Sequence, residues 1–256
     1  MAQVGLQLYT VRDQLDKDFE GTLRKIAELG YQGVEFANFY DRTAEEVKAI
    51  LDETGLSVVG AHRPYTQLRD ALEEEIAFNK AIGNRYIVLP YLIEEDRNKW
   101  DEVIADLRKI GKRCAEEDMV LCYHNHEFEL EIQYGDQPVL DAIYAQVPAE
   151  LLQVELDSCW VSYAGLDPVK YITKYSGRLP LLHLKDMITK EDGSAETVEL
   201  GKGEIAVEAI ANAAIDNKVA WLIVEQDYCA GNSMDSIAVS MEWIKQYANN
   251  GGKIHV

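Results

Sequence analysis

Short β-branched or apolar runs alternate with longer amphipathic stretches along the whole chain. Eight runs have strand character, at residues 4–9, 33–36, 57–62, 86–89, 119–124, 152–157, 181–185 and 221–225. They recur about every 24 to 40 residues, the interval needed by a strand and its crossover helix. Between them the apolar positions take helical spacing. Phe19, Leu23, Ile26, Ala27 and Leu29 form a stripe that stops at Gly30, a left-handed helix end being natural for glycine. Thr43 with Glu46 three residues on reads as a capping box. Val103, Ile104, Leu107, Ile110 and Cys114 form another helical face, as do Ile237, Met241, Ile244 and Tyr247. The pattern predicts an α/β chain, residues 1–256 as one parallel (β/α)8 TIM barrel domain. A doubly wound open sheet is the rival, but it calls for a Gly-rich first turn, and Gln7-Leu-Tyr-Thr-Val-Arg12 has none.

Composition fits this reading. The chain has 256 residues, 47% hydrophobic and 27% charged, enough apolar surface for a large core and too much for a disordered chain. Lys and Arg total 25 against 45 Asp and Glu, a formal charge of -20. Such a surface repels phosphate backbones and anionic lipid, so neither nucleic acid nor a membrane is an expected partner. The N-terminus has no basic n-region or apolar h-region, and no apolar run approaches the ~20 residues that span a bilayer. Cys114, Cys122, Cys159 and Cys229 form no CxxC pair, and a reducing cytoplasm is the expected compartment.

The polar residues concentrate where a barrel would use them. His62, His124, His126 and His183 fall at or just beyond strand ends, with His255 in the tail, and Asp157 and Glu225 finish two further strands. In a (β/α)8 barrel the C-terminal strand ends converge on one site. His124, Asp157, His183 and Glu225 would then meet from four successive strands. A lone strand-end histidine reads as a hydrogen-bonded structural residue, whereas a buried carboxylate without a partner is costly. Four such groups together read as a site for a divalent metal, with nitrogen and oxygen donors suited to Mn2+, Zn2+, Fe2+ or Co2+. Lys185 points the same way as His183, to contact substrate or to pair with a carboxylate. Tyr9, Phe36, Tyr65, Tyr91 and Trp160 stand near strand ends, as a sugar-stacking wall or as rim packing. The amides of Gly201-Lys202-Gly203-Glu204 could receive an anion or simply start a helix. Two irregular segments, 127–135 and 187–203, follow strands and would lie over the mouth.

With these residues the chain resembles the xylose isomerase-like barrel superfamily, in its sugar-phosphate isomerase/epimerase branch. GYQGVEF (30–36), GAHRPY (60–65), YHNHEFE (123–129), ELDSCW (155–160), HLKD (183–186), LGKGEI (200–205) and VEQD (224–227) occur in the order of that branch. The resemblance implies one metal, Mn2+ favoured, held from strands five to eight by Glu, Asp, His and Glu. Asp157, His183 and Glu225 match the last three, and the first falls on His124. In ketose epimerases the two glutamates also move protons on both faces of the substrate, so His124 breaks that pattern. Glu127, Glu129 and Glu155 are the alternatives for the missing carboxylate. The HRPY motif also looks like one in the endonuclease IV branch, but Trp160 stands where that branch has a histidine.

The resemblance implies an isomerase or epimerase acting on a sugar or keto-sugar. It would abstract a proton next to a carbonyl through an enediolate, with the metal as Lewis acid. Glu225 or a carboxylate from Glu127 or Glu129 is the expected base, His62 or His126 its partner, and Lys185 joins the catalytic set. Tyr9, Glu35, Tyr65, Trp160 and Lys202 are the expected substrate contacts. A lyase or dehydratase acting on an inosose or 3-keto-glycoside is the alternative activity, and a non-catalytic sugar-binding barrel the alternative class. The expected ligand is a small carbohydrate, and a closed homo-oligomer is the default assembly.

Overall fold

The computed structural model describes residues 2–254; His255 lies outside them. Eight parallel strands close into a barrel: β1 (Gln3–Gln7), β2 (Gly33–Phe36), β3 (Ser57–His62), β4 (Tyr86–Leu89), β5 (Val120–His124), β6 (Gln153–Asp157), β7 (Leu181–Leu184) and β8 (Trp221–Val224). Each pairs with its sequence neighbours, and β8 returns to β1 with Trp221 opposite Gln3. After each strand comes a main helix: α1 (Phe19–Leu29), α2 (Ala44–Thr54), α3 (Leu72–Ala81), α4 (Trp100–Glu116), α5 (Val139–Gln146), α6 (Pro168–Lys174), α7 (Val207–Asp216) and α8 (Ser233–Asn249), with shorter helical turns between some of them. This is the single (β/α)8 barrel that the alternation predicts.

Local signals act as physical chemistry requires. The Asp18 carboxylate accepts from Gly21 N at the start of α1, which ends at Gly30 with φ 106°. Thr43 and Glu46 form the reciprocal capping box of α2. The first strand stops at Gln7 rather than residue 9, because the Gln7 side chain accepts from Tyr9 N and turns Leu8–Val11 into a 3-10 helix. The two segments read as irregular contain short ordered pieces. Helix Phe128–Glu131 precedes a small hairpin, and strands Asp186–Thr189 and Ala195–Val198 pair antiparallel.

The core has two layers. Leu23, Ile26, Val47, Leu107, Ile143, Ile210 and Ile244 pack the helices on the outer face of the barrel. Inside it, Val59, Val88, Cys122, Leu181, Trp221 and Ile223 form a separate apolar cluster. Strand periodicity then places polar side chains above this dry floor. The four cysteines are free, and three of them are buried. Among the described residues, no helix is long and apolar enough to cross a membrane.

Gly111 provides a test of this packing. A Cβ there would lie 2.0 Å from the Leu151 carbonyl oxygen, where α4 meets the segment before β6. Helix propensity favours alanine by about 1 kcal/mol, whereas overpacking costs about 1–3 kcal/mol. We expect Gly111→Ala to lower Tm by several degrees in a thermal melt. A raised Tm would mean that the contact yields.

Candidate active site

The sequence of β6 positions two carboxylates on one inward face, Glu155 below and Asp157 at the strand end, both fully buried. Asp157 also caps helix Ser158–Tyr163: its Oδ1 accepts from Cys159 N at 2.9 Å and Trp160 N at 3.1 Å. That cap turns Oδ2 toward the barrel axis. Asn125 ties the ends of β5 and β6 together by accepting from Asp157 N at 2.9 Å, which sets His124 beside Asp157. His183 lies on the inward face of β7 and Lys185 just past its end, and Glu225 extends β8 with its N–H on the Leu184 carbonyl.

These groups meet in two tiers. In the upper tier His183 Nδ1 is 2.6 Å from Glu225 Oε2, and His124 Nε2 is 3.6 Å from Asp157 Oδ2. The Lys185 ammonium stands 2.7 Å from Glu225 Oε2, 2.9 Å from Asp157 Oδ2 and 3.1 Å from Asp227 Oδ2. In the lower tier Glu35 Oε2 is 2.7 Å from His183 Nε2 and accepts from Gln7 Nε2 at 2.9 Å. Glu155 Oε2 lies 3.0 Å from His124 Nδ1 and 2.8 Å from His62 Nε2. His62 Nε2 is also 3.3 Å from Glu35 Oε2, so one imidazole bridges the two buried carboxylates.

Burial and neighbouring charge divide the protons among these groups. Burial opposes a charge on His62, but Glu35 and Glu155 outweigh it and raise the imidazole to about 10. Burial also raises Glu35, yet the charges on His62 and His183 hold it well below the ordinary carboxylate range. Glu155 stays raised, because burial and the Glu35 charge both act against its ionisation. Burial keeps His124 neutral, reinforced by the charges of His183 and its other cationic neighbours. His126 is pushed down to about 3, by burial first and Lys185 next. Burial raises Glu225, but Lys185 and His183 reverse this and keep it ionised.

The donors fit a divalent cation. Asp157, His183 and Glu225 offer ligand atoms within 4.8 Å of one another. Asp157 Oδ2 is fully buried, in charge contact with Lys185, yet receives no directed hydrogen bond. The Lys185 ammonium already balances this atom, and the fit to a divalent ion rests on the nitrogen and oxygen donor set itself. A second grouping within the same span, His62, His124, Glu155 and His183, shares His183 with the first.

A cavity of about 370 Å3 opens above the upper tier, a size suited to a small ligand. Tyr9, His62, Tyr91, His124, His126, Lys185, Glu225 and Asp227 line it. Other sequence expectations fall elsewhere. Glu35 lies beneath the cavity wall, fully buried. Tyr65 is buried and donates to Asp106 Oδ2 at 2.8 Å, outside the cavity lining. Trp160 stands behind the wall, against His126 at 5.8 Å and with the Lys185 ammonium 5.7 Å from its ring. Glu127 precedes helix Phe128–Glu131 and does not line the cavity. Glu129 is a strut: it accepts from the Tyr123 hydroxyl at 2.7 Å and from His126 N at 2.8 Å.

Lys202 borders a different cavity, against α8. The amides around it are already used. Gly201 N and Gly203 N donate to Asp186 Oδ2, each at 2.9 Å, and Ile205 N to Asp186 Oδ1 at 3.0 Å. An external anion therefore has no free amides there. Asp227, which sequence reading left without a role, joins the site through Lys185. Its place in the VEQD motif, two residues after Glu225, was the signal for it.

Two expectations follow. Protein purified without chelator should carry close to one equivalent of divalent metal by elemental analysis, and Asp157→Ala should lose it. Equal metal content in the two proteins would remove Asp157 from the ligand set. Burial also raises the Glu129 carboxyl from 4.5 to about 8, although the Tyr123 and His126 hydrogen bonds oppose the shift. Its folded value exceeds its unfolded one, so its contribution is present below about 4.5 and lost as pH rises through about 8. Glu129→Gln should therefore melt higher than the parent protein at pH 9 and near it at pH 5. A constant offset between those pH values would contradict the assignment.

Comparison with known proteins agrees with the barrel fold. An inosose dehydratase from Clostridium perfringens (strain 13 / Type A) is 24% identical over 276 aligned residues, 91% of each chain. A sugar phosphate isomerase/epimerase from Parabacteroides distasonis superposes with a TM-score of 0.80 at 18% identity, over 95% of this chain and 93% of that one. A probable 3-DHS dehydratase from Bacillus anthracis superposes with a TM-score of 0.74 at 15% identity, over 95% and 98% of the two chains. These superpositions show a shared fold. The sequence pattern described as xylose isomerase-like TIM barrel matches residues 23–247, and the chain belongs to that family.

Proposed function

We propose that this enzyme is a divalent-metal-dependent lyase that removes water from a small keto-sugar or keto-cyclitol. One observation carries the choice of elimination over epimerisation. Among the described residues, the carboxylates lining the cavity are Glu225 and Asp227, both from the end of β8. Epimerisation by paired carboxylates needs one on each face of the substrate. Here Glu35 and Glu155 are sealed in the lower tier, and Glu127 and Glu129 stand away from the cavity lining. The dehydratase names carried by two of the relatives support the same choice.

A divalent ion held by His124, Asp157, His183 and Glu225 would polarise the substrate carbonyl as a Lewis acid. The protein's own groups handle the protons. Glu225, ionised at the cavity wall, removes the proton next to the carbonyl. The electron pair of that C–H bond becomes the new C=C bond as the C–O bond to the neighbouring hydroxyl breaks. Burial opposes the charge on Lys185, but Asp157, Asp227 and Glu225 keep it protonated, and it delivers a proton to the departing oxygen, which leaves as water. Lys185 and Glu225 are 2.7 Å apart, so proton and hydroxyl depart from the same face. Tyr9 and Tyr91 flank the cavity as apolar surface for the sugar ring.

A second reading, isomerisation or epimerisation, draws on His126. Its ring lines the cavity, burial keeps it neutral, and Nδ1 has no protein partner. It is the group that could exchange a proton on the other face. Incubation of a keto-cyclitol with metal-loaded enzyme in deuterated buffer separates the two readings. We expect a product lighter by one water, and for Glu225→Gln a kcat lower by roughly 10²- to 10⁴-fold. Deuterium incorporation without loss of water would replace elimination with epimerisation, and binding without turnover would leave a sugar-binding barrel.

A further inference from the structure

We propose that Glu35 and Glu155 are positioning residues that decide which ring nitrogen each metal-binding histidine presents, Nδ1 for His183 and Nε2 for His124. The inference rests on the metal reading above and extends it beneath the ligands.

Each histidine is gripped from behind. The rear nitrogen of His183 is Nε2, 2.7 Å from Glu35 Oε2, while Nδ1 points to Glu225. The rear nitrogen of His124 is Nδ1, 3.0 Å from Glu155 Oε2, while Nε2 points to Asp157. The two rings are therefore used in opposite senses. A neutral imidazole carries one N–H, and a carboxylate accepting at one nitrogen leaves the other free of hydrogen for a metal. An anionic acceptor also makes the ligating nitrogen more basic than a neutral carbonyl would.

The lower tier is built to hold these carboxylates still. Gln7, Glu35 and Gly60 are register partners on β1, β2 and β3, and His124 pairs with Glu155 across β5 and β6. Gln7 Nε2 donates to Glu35 Oε2 at 2.9 Å. On its other side Gly60 leaves room, since a Cβ there would lie 2.5 Å from Glu35 Oε1. His62 spans both carboxylates at 2.8 and 3.3 Å, sharing one positive charge between them. Glu35 Oε1 and Glu155 Oε1 have no partner although both residues are fully buried. A fold selected for stability alone would not keep two unpaired acceptors on an apolar floor.

Histidine tautomers provide the test. Protein labelled with ¹⁵N at histidine and loaded with Zn2+ should show His183 protonated at Nε2 and His124 protonated at Nδ1 in ring nitrogen–proton correlation spectra. Glu35→Gln and Glu155→Gln should bind Zn2+ about 10- to 100-fold more weakly in a chelator competition. Glu35→Asp, one methylene shorter, should not restore the affinity. The opposite tautomers, or Zn2+ affinity unchanged in both glutamine variants, would overturn the role while leaving the metal centre intact. A parent protein that takes up no Zn2+ would overturn the metal centre and this role together. If either variant fails to fold, the spectrum of the parent protein decides alone.

Discussion

Two carboxylates, Glu35 and Glu155, lie wholly inside the barrel, close enough to share His62. An isolated carboxylate there would cost several kcal/mol even after relaxation, and two would repel. Their burial is tolerable only because imidazoles stand against them from β3, β5 and β7. The apolar floor of Val59, Val88, Cys122, Leu181, Trp221 and Ile223 makes the demand stricter by excluding water from below. The interior thus behaves as one charge-balanced unit, and loss of any member leaves another uncompensated. The orientation of His124 and His183, and with it the upper tier, depends on that balance.

Barrel geometry turns this unit into a site. Alternation along β6 stacks Glu155 under Asp157, and alternation along β7 stacks His183 and Lys185. The carboxylates below stand against imidazoles, whereas those above, Asp157, Glu225 and Asp227, surround Lys185. Lys185, Glu225 and Asp227 reach the cavity from the ends of β7 and β8, while Tyr9 and Tyr91 reach it from the segments after β1 and β4.

The fold was legible because eight apolar runs alternate with capped amphipathic helices, a pattern that few architectures share. The four ligand candidates could be named because each falls at or beside a strand end, and the structure brings them near one another. Depth was not. A period of two tells which side chains point inward, but it does not say whether Glu35 reaches the cavity or stops a tier below it. Tyr65 misled for a similar reason: it follows a strand end, yet its helix carries the ring toward Asp106. Trp160 stands one row back because the Asp157 cap starts a helix immediately after β6. Asp227 ended the VEQD motif but was given no role there, and the extra hairpin Asp186–Thr189/Ala195–Val198 arises from a segment without clear periodicity.

The loop after that hairpin has a further meaning. Asp186 fills the amides of Gly201, Gly203 and Ile205 with its own carboxylate. In effect the chain supplies a covalently attached occupant for a seat that a free oxyanion would otherwise compete to take. Its local concentration is far above that of any solute, so the three amides are saturated by tethering rather than by affinity. The loop is thereby closed by its own chain, with a buried carboxylate in place of a solute.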